Sequence, residues 1–134
     1  LIHTPMKRLA LCCLWWLLAA GGCAGTLQHQ HDDCPVYDAL EPVRANPAGA
    51  PDRHLQVQMV FRVCPPQVGL EEIQRKRFEL KHELLVLLSS KDAAYLADPL
   101  RVDKLQKEIL PLVNQKVLKK SKVVEVLITG FELQ

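Results

Sequence analysis

The chain has 134 residues, enough for one ordinary domain, with 17 Lys+Arg against 15 Asp+Glu and 49% hydrophobic residues. That near balance excludes the strongly basic surface a nucleic-acid partner favours. Two of the basic residues, Lys7 and Arg8, fall in a segment expected to be removed, which leaves fifteen against fifteen and a formally neutral remainder. Net charge therefore gives no support to electrostatic membrane binding either.

In chain order, Leu1–Pro5 reads as an upstream extension and Met6 as the natural start. Lys7-Arg8 forms a short positive region, followed by the unbroken apolar run Leu9–Ala20. Its twelve residues suit a secretory h-region of about 7–15 and fall short of the roughly 18–20 a spanning helix needs. Ala20-Gly21-Gly22-Cys23 then resembles the lipobox of bacterial lipoprotein signal peptides, in which the cysteine becomes the acylated first residue. The expected organisation is residues 1–22 as signal with extension, 23–34 as a lipidated tether, and 35–134 as the folded domain. Ala24 is not the aspartate typical of inner-membrane retention, which favours the outer membrane.

Ala24–Asp33 (AGTLQHQHDD) has neither helical nor strand period and reads as a tether of about 18 Å root-mean-square span. His29, His31, Asp32 and Asp33, with Cys34 beside them, are the only cluster of metal-ligand residue types. A solvated linker is the favoured reading of that cluster, so no cofactor or metal is assigned. With Cys12 and Cys13 in the signal and Cys23 used by the lipid, only Cys34 and Cys64 remain. They either form a disulfide, in a compartment where one can persist, or stay apart, Cys34 in the tether and Cys64 packed as a small hydrophobe.

Val36–Asn46 is a strand candidate interrupted by Pro42, which favours an edge. Asn46–Arg53 (NPAGAPDR) is a loop. His54–Cys64 alternates, with Leu55, Val57, Met59, Phe61 and Val63 on one face, and is the best strand in the chain; Pro65-Pro66 stops it. If the two strands pair with Asn46 opposite His54, Val36 lies opposite Cys64 and Cys34 just beyond. A shift of one or two residues then brings the α-carbons within the roughly 4.4–6.8 Å a disulfide needs.

Leu70–Leu88 carries apolar residues at three- and four-residue steps, with Glu71 and Glu72 as first-turn acids. Ser89-Ser90 breaks it and caps a short helix through Leu96. Asp98-Pro99 is a start signal for a helix bearing Val102, Leu105, Ile109, Leu112 and Val113 inward, with a kink expected near Pro111. Lys116, Lys119, Lys120 and Lys122 gather at its end, and Val123–Leu133 is a closing strand. The order β-β-α-α-α-β gives an α+β domain of about three strands and two longer helices.

Nothing assembles for catalysis: no Gly-x-Ser-x-Gly, no Cys–His setting, no phosphate loop, and His54 and His82 stand alone. Ser89-Ser90 reads as a cap and Glu71-Glu72 as first-turn acids, so a non-enzymatic protein is expected.

ELLVLLSSKDAAYLADP (Glu83–Pro99), KLQKEILPLVNQ (Lys104–Gln115) and the closing VVEVLITGFELQ (Val123–Gln134) resemble the flagellar basal-body-associated FliL family. ALEPVRAN (Ala39–Asn46) and HLQVQMVFRV (His54–Val63) look like that family's first two strands. The resemblance implies a periplasmic domain similar to the stomatin/prohibitin type, forming rings around the flagellar stator. Partners would be further copies of the chain and stator or basal-body proteins. Three features depart from the family pattern: a lipoprotein signal replaces an uncleaved spanning helix, Arg44 stands at a usually apolar position, and Pro111 interrupts a helix usually free of proline. The first matters most, because an outer-membrane lipoprotein on so short a tether could not reach an inner-membrane stator. Two functions follow: a scaffold or adaptor supporting the flagellar motor, or a metal-binding or envelope-sensing lipoprotein using the histidine tether. Deleting His29–Asp33 separates them, since only the second needs those residues.

Overall fold

A computed structural model describes residues 33–134. In chain order they form β1 (Val36–Tyr37), β2 (Val43–Ala45), β3 (Leu55–Cys64), α1 (Pro66–Arg75), α2 (Arg77–Ser89), α3 (Ala93–Ala97), α4 (Arg101–Lys116) and β4 (Lys122–Leu133). The architecture is α+β, a small antiparallel sheet of four strands with four helices.

β3 is the hub, because it has the cleanest alternation. Leu55, Val57, Met59, Phe61 and Val63 are all buried on its inner face. β1 and β2 pair with successive stretches of one edge of β3, and β4 pairs along its whole other edge. On the inner face lie Ile73 of α1, Leu80, Leu84 and Leu88 of α2, and Leu105, Ile109 and Val113 of α4. Sheet on one side and helices on the other make two layers around one core. At Gly69 a Cβ would stand 2.5 Å from Val63 Cγ1, so α1 lies closer on β3 than any side chain at that position allows.

Four details correct the sequence reading. The expected first strand is two, since Pro42 cannot donate to a ladder and Leu40 turns into the core between them. The expected helix Leu70–Leu88 is also two. It starts earlier, at Pro66, a proline suited to the first turn, and breaks at Lys76. The apolar stripe itself shows why: three and four residues beyond Ile73 stand Lys76 and Arg77, where a continuous core face would need apolar side chains. The short helix α3 is capped not by a serine but by Asp92, which accepts from the Tyr95 N–H at 2.9 Å, while the Ser90 hydroxyl donates to the Leu87 carbonyl at the end of α2. Asp98 does not cap α4 directly either; it accepts from the Leu100 N–H at 2.8 Å, and Pro99 lies in the turn before the helix.

α4 runs through Pro111, which is exposed, so water can meet the carbonyl its missing N–H leaves unpaired. Arg44, between buried Val43 and Ala45, points outward and donates to Gln56 Oε1 at 2.9 Å. On the same outer face Arg62 pairs with Glu125 at 2.8 Å and donates to the Cys34 carbonyl at 3.0 Å.

Candidate functional site

Of the residues singled out in the sequence, Cys23, His29, His31 and Asp32 lie outside the described residues, and Asp33 is exposed at their start. Among the described residues no group of three or more His, Cys, Asp or Glu is placed to hold a metal ion. His54 and His82 are exposed and far apart in the chain.

Cys34 and Cys64 are joined by a disulfide with α-carbons 5.2 Å apart. The register explains the contact. β2 sets Val43 opposite Val57, but β1 is displaced by two residues, with Val36 opposite Arg62 rather than Cys64. Extending β1 backwards in that register places Cys34 beside Cys64. The displacement arises where the chain leaves the ladder around Pro42.

Glu72 is not a first-turn acid. It is 2% exposed and sits in the second half of α1, facing the loop between α4 and β4. Its carboxylate accepts from the backbone N–H groups of Lys119, Lys120 and Ser121 at 3.0–3.1 Å and from the Ser121 hydroxyl at 2.8 Å. Lys76 Nζ stands 3.9 Å away and also donates to the Val117 carbonyl at 2.9 Å. Burial by itself raises the Glu72 pKa, but the Ser121 hydroxyl and the three N–H groups outweigh it and hold the carboxyl below its usual range. This anion nest is filled by the protein's own side chain, so it is a clamp rather than a ligand site.

What the fold leaves open are surfaces. The outer edge of β4 would present unpaired backbone groups, a template for another strand. α4 covers its first half: the Asn114 amide accepts from the Val123 N–H at 2.7 Å and donates to the Val123 carbonyl at 2.9 Å, as a neighbouring strand would. Two turns earlier, Gln106 donates to the Val126 carbonyl at 2.8 Å. β4 also carries two extra residues, Val124 and Thr129, where its register with β3 shifts; such bulges twist an edge. From Leu127 to Leu133 no strand pairs with the outer edge among the described residues.

The second open surface is α2, apolar on two faces. Leu80, Leu84 and Leu88 point into the core, while Phe78, Leu85 and Val86 point away from it, 71%, 38% and 55% exposed. Residues 78, 82, 85 and 86 share one helical stripe, so the three apolar side chains with His82 form a continuous strip rather than scattered exposures. The Arg77 guanidinium lies over the Phe78 ring, 4.5 Å from its centroid. Sequence reading missed the strip because the same run, LLVLL, supplies both faces, and only the fold decides which leucines are inward.

A search of curated proteins finds no match. A family model described as "Flagellar basal body-associated protein FliL" matches residues 36–134, from the first residue of β1 to the end of the chain. The chain belongs to the FliL family, and its function is accordingly association with the flagellar basal body.

Proposed function

We propose that this protein is a membrane-anchored, non-enzymatic scaffold that associates with further copies of itself and with flagellar motor proteins, supporting stator function from the periplasmic side. The family match carries the flagellar part of this reading, and the outward apolar strip of α2 supports the protein contacts. A strip of Phe78, Leu85 and Val86 held in water has no role in the core of this domain, yet it is the kind of surface that marks a protein–protein contact. Anchoring rests on the sequence around Cys23, whose acyl chains, at about 0.8 kcal/mol per buried CH₂, hold a protein at a bilayer when more than one is present. Ala24 favours the outer membrane; a stator role requires the inner one, and fractionation of the two membranes decides between them.

The test combines motility with capture. In the bacterium that encodes the protein, deletion of its gene reduces swimming in soft agar, and the tagged full chain brings stator or basal-body proteins down from solubilised membranes. Phe78→Glu, at unchanged abundance, fails to restore swimming. Normal swimming of the deletion strain together with capture free of motor proteins overturns the reading. Metabolic labelling with a fatty-acid probe tests the anchor independently: the label is present in the wild type and absent in Cys23→Ser.

A further inference from the structure

Lys119, Lys120 and Lys122, read in the sequence as part of a helix end, lie instead in the loop after α4 and at the start of β4, at one tip of the molecule. Lys122 is the register partner of Cys64, and Cys64 is bonded to Cys34. Lys119 and Lys120 belong to the loop that Glu72 clamps beside them, and a surface depression lined by Cys34, Cys64, Pro65, Lys120 and Lys122 joins the two groups. All three lysines are exposed. Among the described residues none of them pairs with an acid: the Lys119 ammonium donates to the Gln115 carbonyl at 3.2 Å, and the Glu72 carboxylate beside this loop is spent on backbone N–H groups. Among the described residues, exposed Asp33, next to Cys34 in sequence, is an acid that adjoins the tip from the tether side. Next to the lysines, Pro65, Pro66 and Val68 are exposed, an apolar point where β3 turns into α1.

This tip is also where the domain is tied to its anchor. From Cys23 to Cys34 is eleven peptide steps, which even fully extended span no more than about 40 Å. With Cys23 at the bilayer surface, the attachment point brings the lysine tip within that reach, and the tether keeps its local concentration at the surface high enough for weak contacts to count. Exposed apolar side chains ringed by lysines suit the headgroup boundary, where methylenes and rings enter and ammonium groups stay with phosphates.

We propose that Lys119, Lys120 and Lys122, with the Pro65–Pro66–Val68 point, dock the domain on anionic phospholipid headgroups of the membrane to which it is anchored, and so fix which face looks away from the bilayer. The proposal rests on the anchoring reading above and adds an orientation to it. Neutral net charge of the chain from residue 23 conceals the patch: Glu83, Glu108 and Glu125 are each paired with a basic residue outside the lysine trio.

The test uses the mature chain from residue 23 with Cys23→Ser, which has neither signal nor lipid, floated with vesicles of phosphatidylcholine alone or with about 30% phosphatidylglycerol. Binding is expected on the anionic vesicles only and is lost on raising salt from about 50 to about 500 mM. Replacing Lys119, Lys120 and Lys122 together by Gln lowers the partition coefficient by about a hundredfold, since each lysine near such a surface contributes about fivefold. Arg53→Gln, in the loop at the opposite end of the sheet, leaves it unchanged. Equal binding to both vesicle types, no binding to either, or an equal loss in Arg53→Gln overturns the proposal. Because fatty-acid labelling of the full chain is read separately, a lost patch with a retained label rejects the docking and keeps the anchor; a lost label rejects the anchor itself.

Discussion

Glu72 shows how one side chain can organise two segments that are nearly fifty residues apart in the chain. Three consecutive N–H groups of the Lys119–Ser121 loop converge on it, donors that a tight turn could not pair with each other. Glu72→Gln keeps the shape and removes the charge, so it mimics the protonated acid. We expect it to lower stability at pH 7 by about 2 kcal/mol, the range of hydrogen bonds to a charged group. The folded pKa is depressed, so the contribution is fully present above the unfolded value near 4.3 and is lost as pH falls through the folded value. In urea unfolding the gap between wild type and Glu72→Gln therefore narrows as pH falls below the unfolded value near 4.3 and goes on narrowing through the depressed folded value; a gap that stays constant on acidification refutes the clamp. Cys34 and Cys64 act at the same scale. Closing a loop with a sequence separation of 30 restricts the unfolded chain by about 3.5 kcal/mol in the chain-entropy account. Reductant should lower the unfolding free energy by roughly that amount, and alkylation of the unreduced protein should leave its intact mass unchanged at both residues. Two alkylated thiols without reductant would show that the bond is absent from the native protein.

Among the elements, β4 carries the most consequence, because a strand of 12 residues at a sheet edge invites further strands. Asn114 answers half of that invitation with an amide that imitates a strand's donor and acceptor. Asn114→Ala leaves the Val123 N–H and carbonyl without partners. The expected cost is about 1–3 kcal/mol, with faster hydrogen exchange at Val123 and little change at the paired residues of β3. Unchanged exchange at Val123 would mean the helix does not cover the edge in solution. None of this was visible in the sequence, where Asn114 is one polar residue on a helix and the bulges at Val124 and Thr129 leave no mark on the β-branched run. What could be read was whatever a period of two or of three to four residues encodes: the inner face of β3, the core positions Leu105, Ile109 and Val113 of α4, and the order of the elements. Breaks were harder, since Lys76 is neither glycine nor proline and only the lapse of the apolar stripe at Lys76-Arg77 announces it. The surface site was the least legible of all, because α2 is apolar on both sides and burial is a property of the fold.

For the molecule as a whole, the proposed scaffold role raises the question of whether so small an exposed strip can sustain contacts between copies. A stable interface buries about 800 Å² on each partner, more than Phe78, Leu85 and Val86 can supply by themselves. Isolated copies should therefore associate weakly, in the range of tens to hundreds of micromolar. The anchoring proposed above would change the arithmetic: copies held on a membrane would meet at high local concentration and with orientation already restricted, so a weak strip would suffice. If the lysine tip also faces the bilayer, α2 is presented at a fixed height on every copy, which favours contacts closing around an axis normal to the membrane. The mature chain from residue 23 with Cys23→Ser should then show concentration-dependent sedimentation at about 100–500 µM. Phe78→Glu, at a site 71% exposed, should abolish that association while leaving the unfolding transition within about 0.5 kcal/mol of wild type. The full lipidated chain in vesicles should cross-link between copies at much lower protein-to-lipid ratios than the soluble chain requires in bulk. A soluble chain that stays monomeric at 500 µM, together with lipidated copies that do not cross-link through α2, would leave the strip without a homotypic role and point instead to a different protein as its occupant.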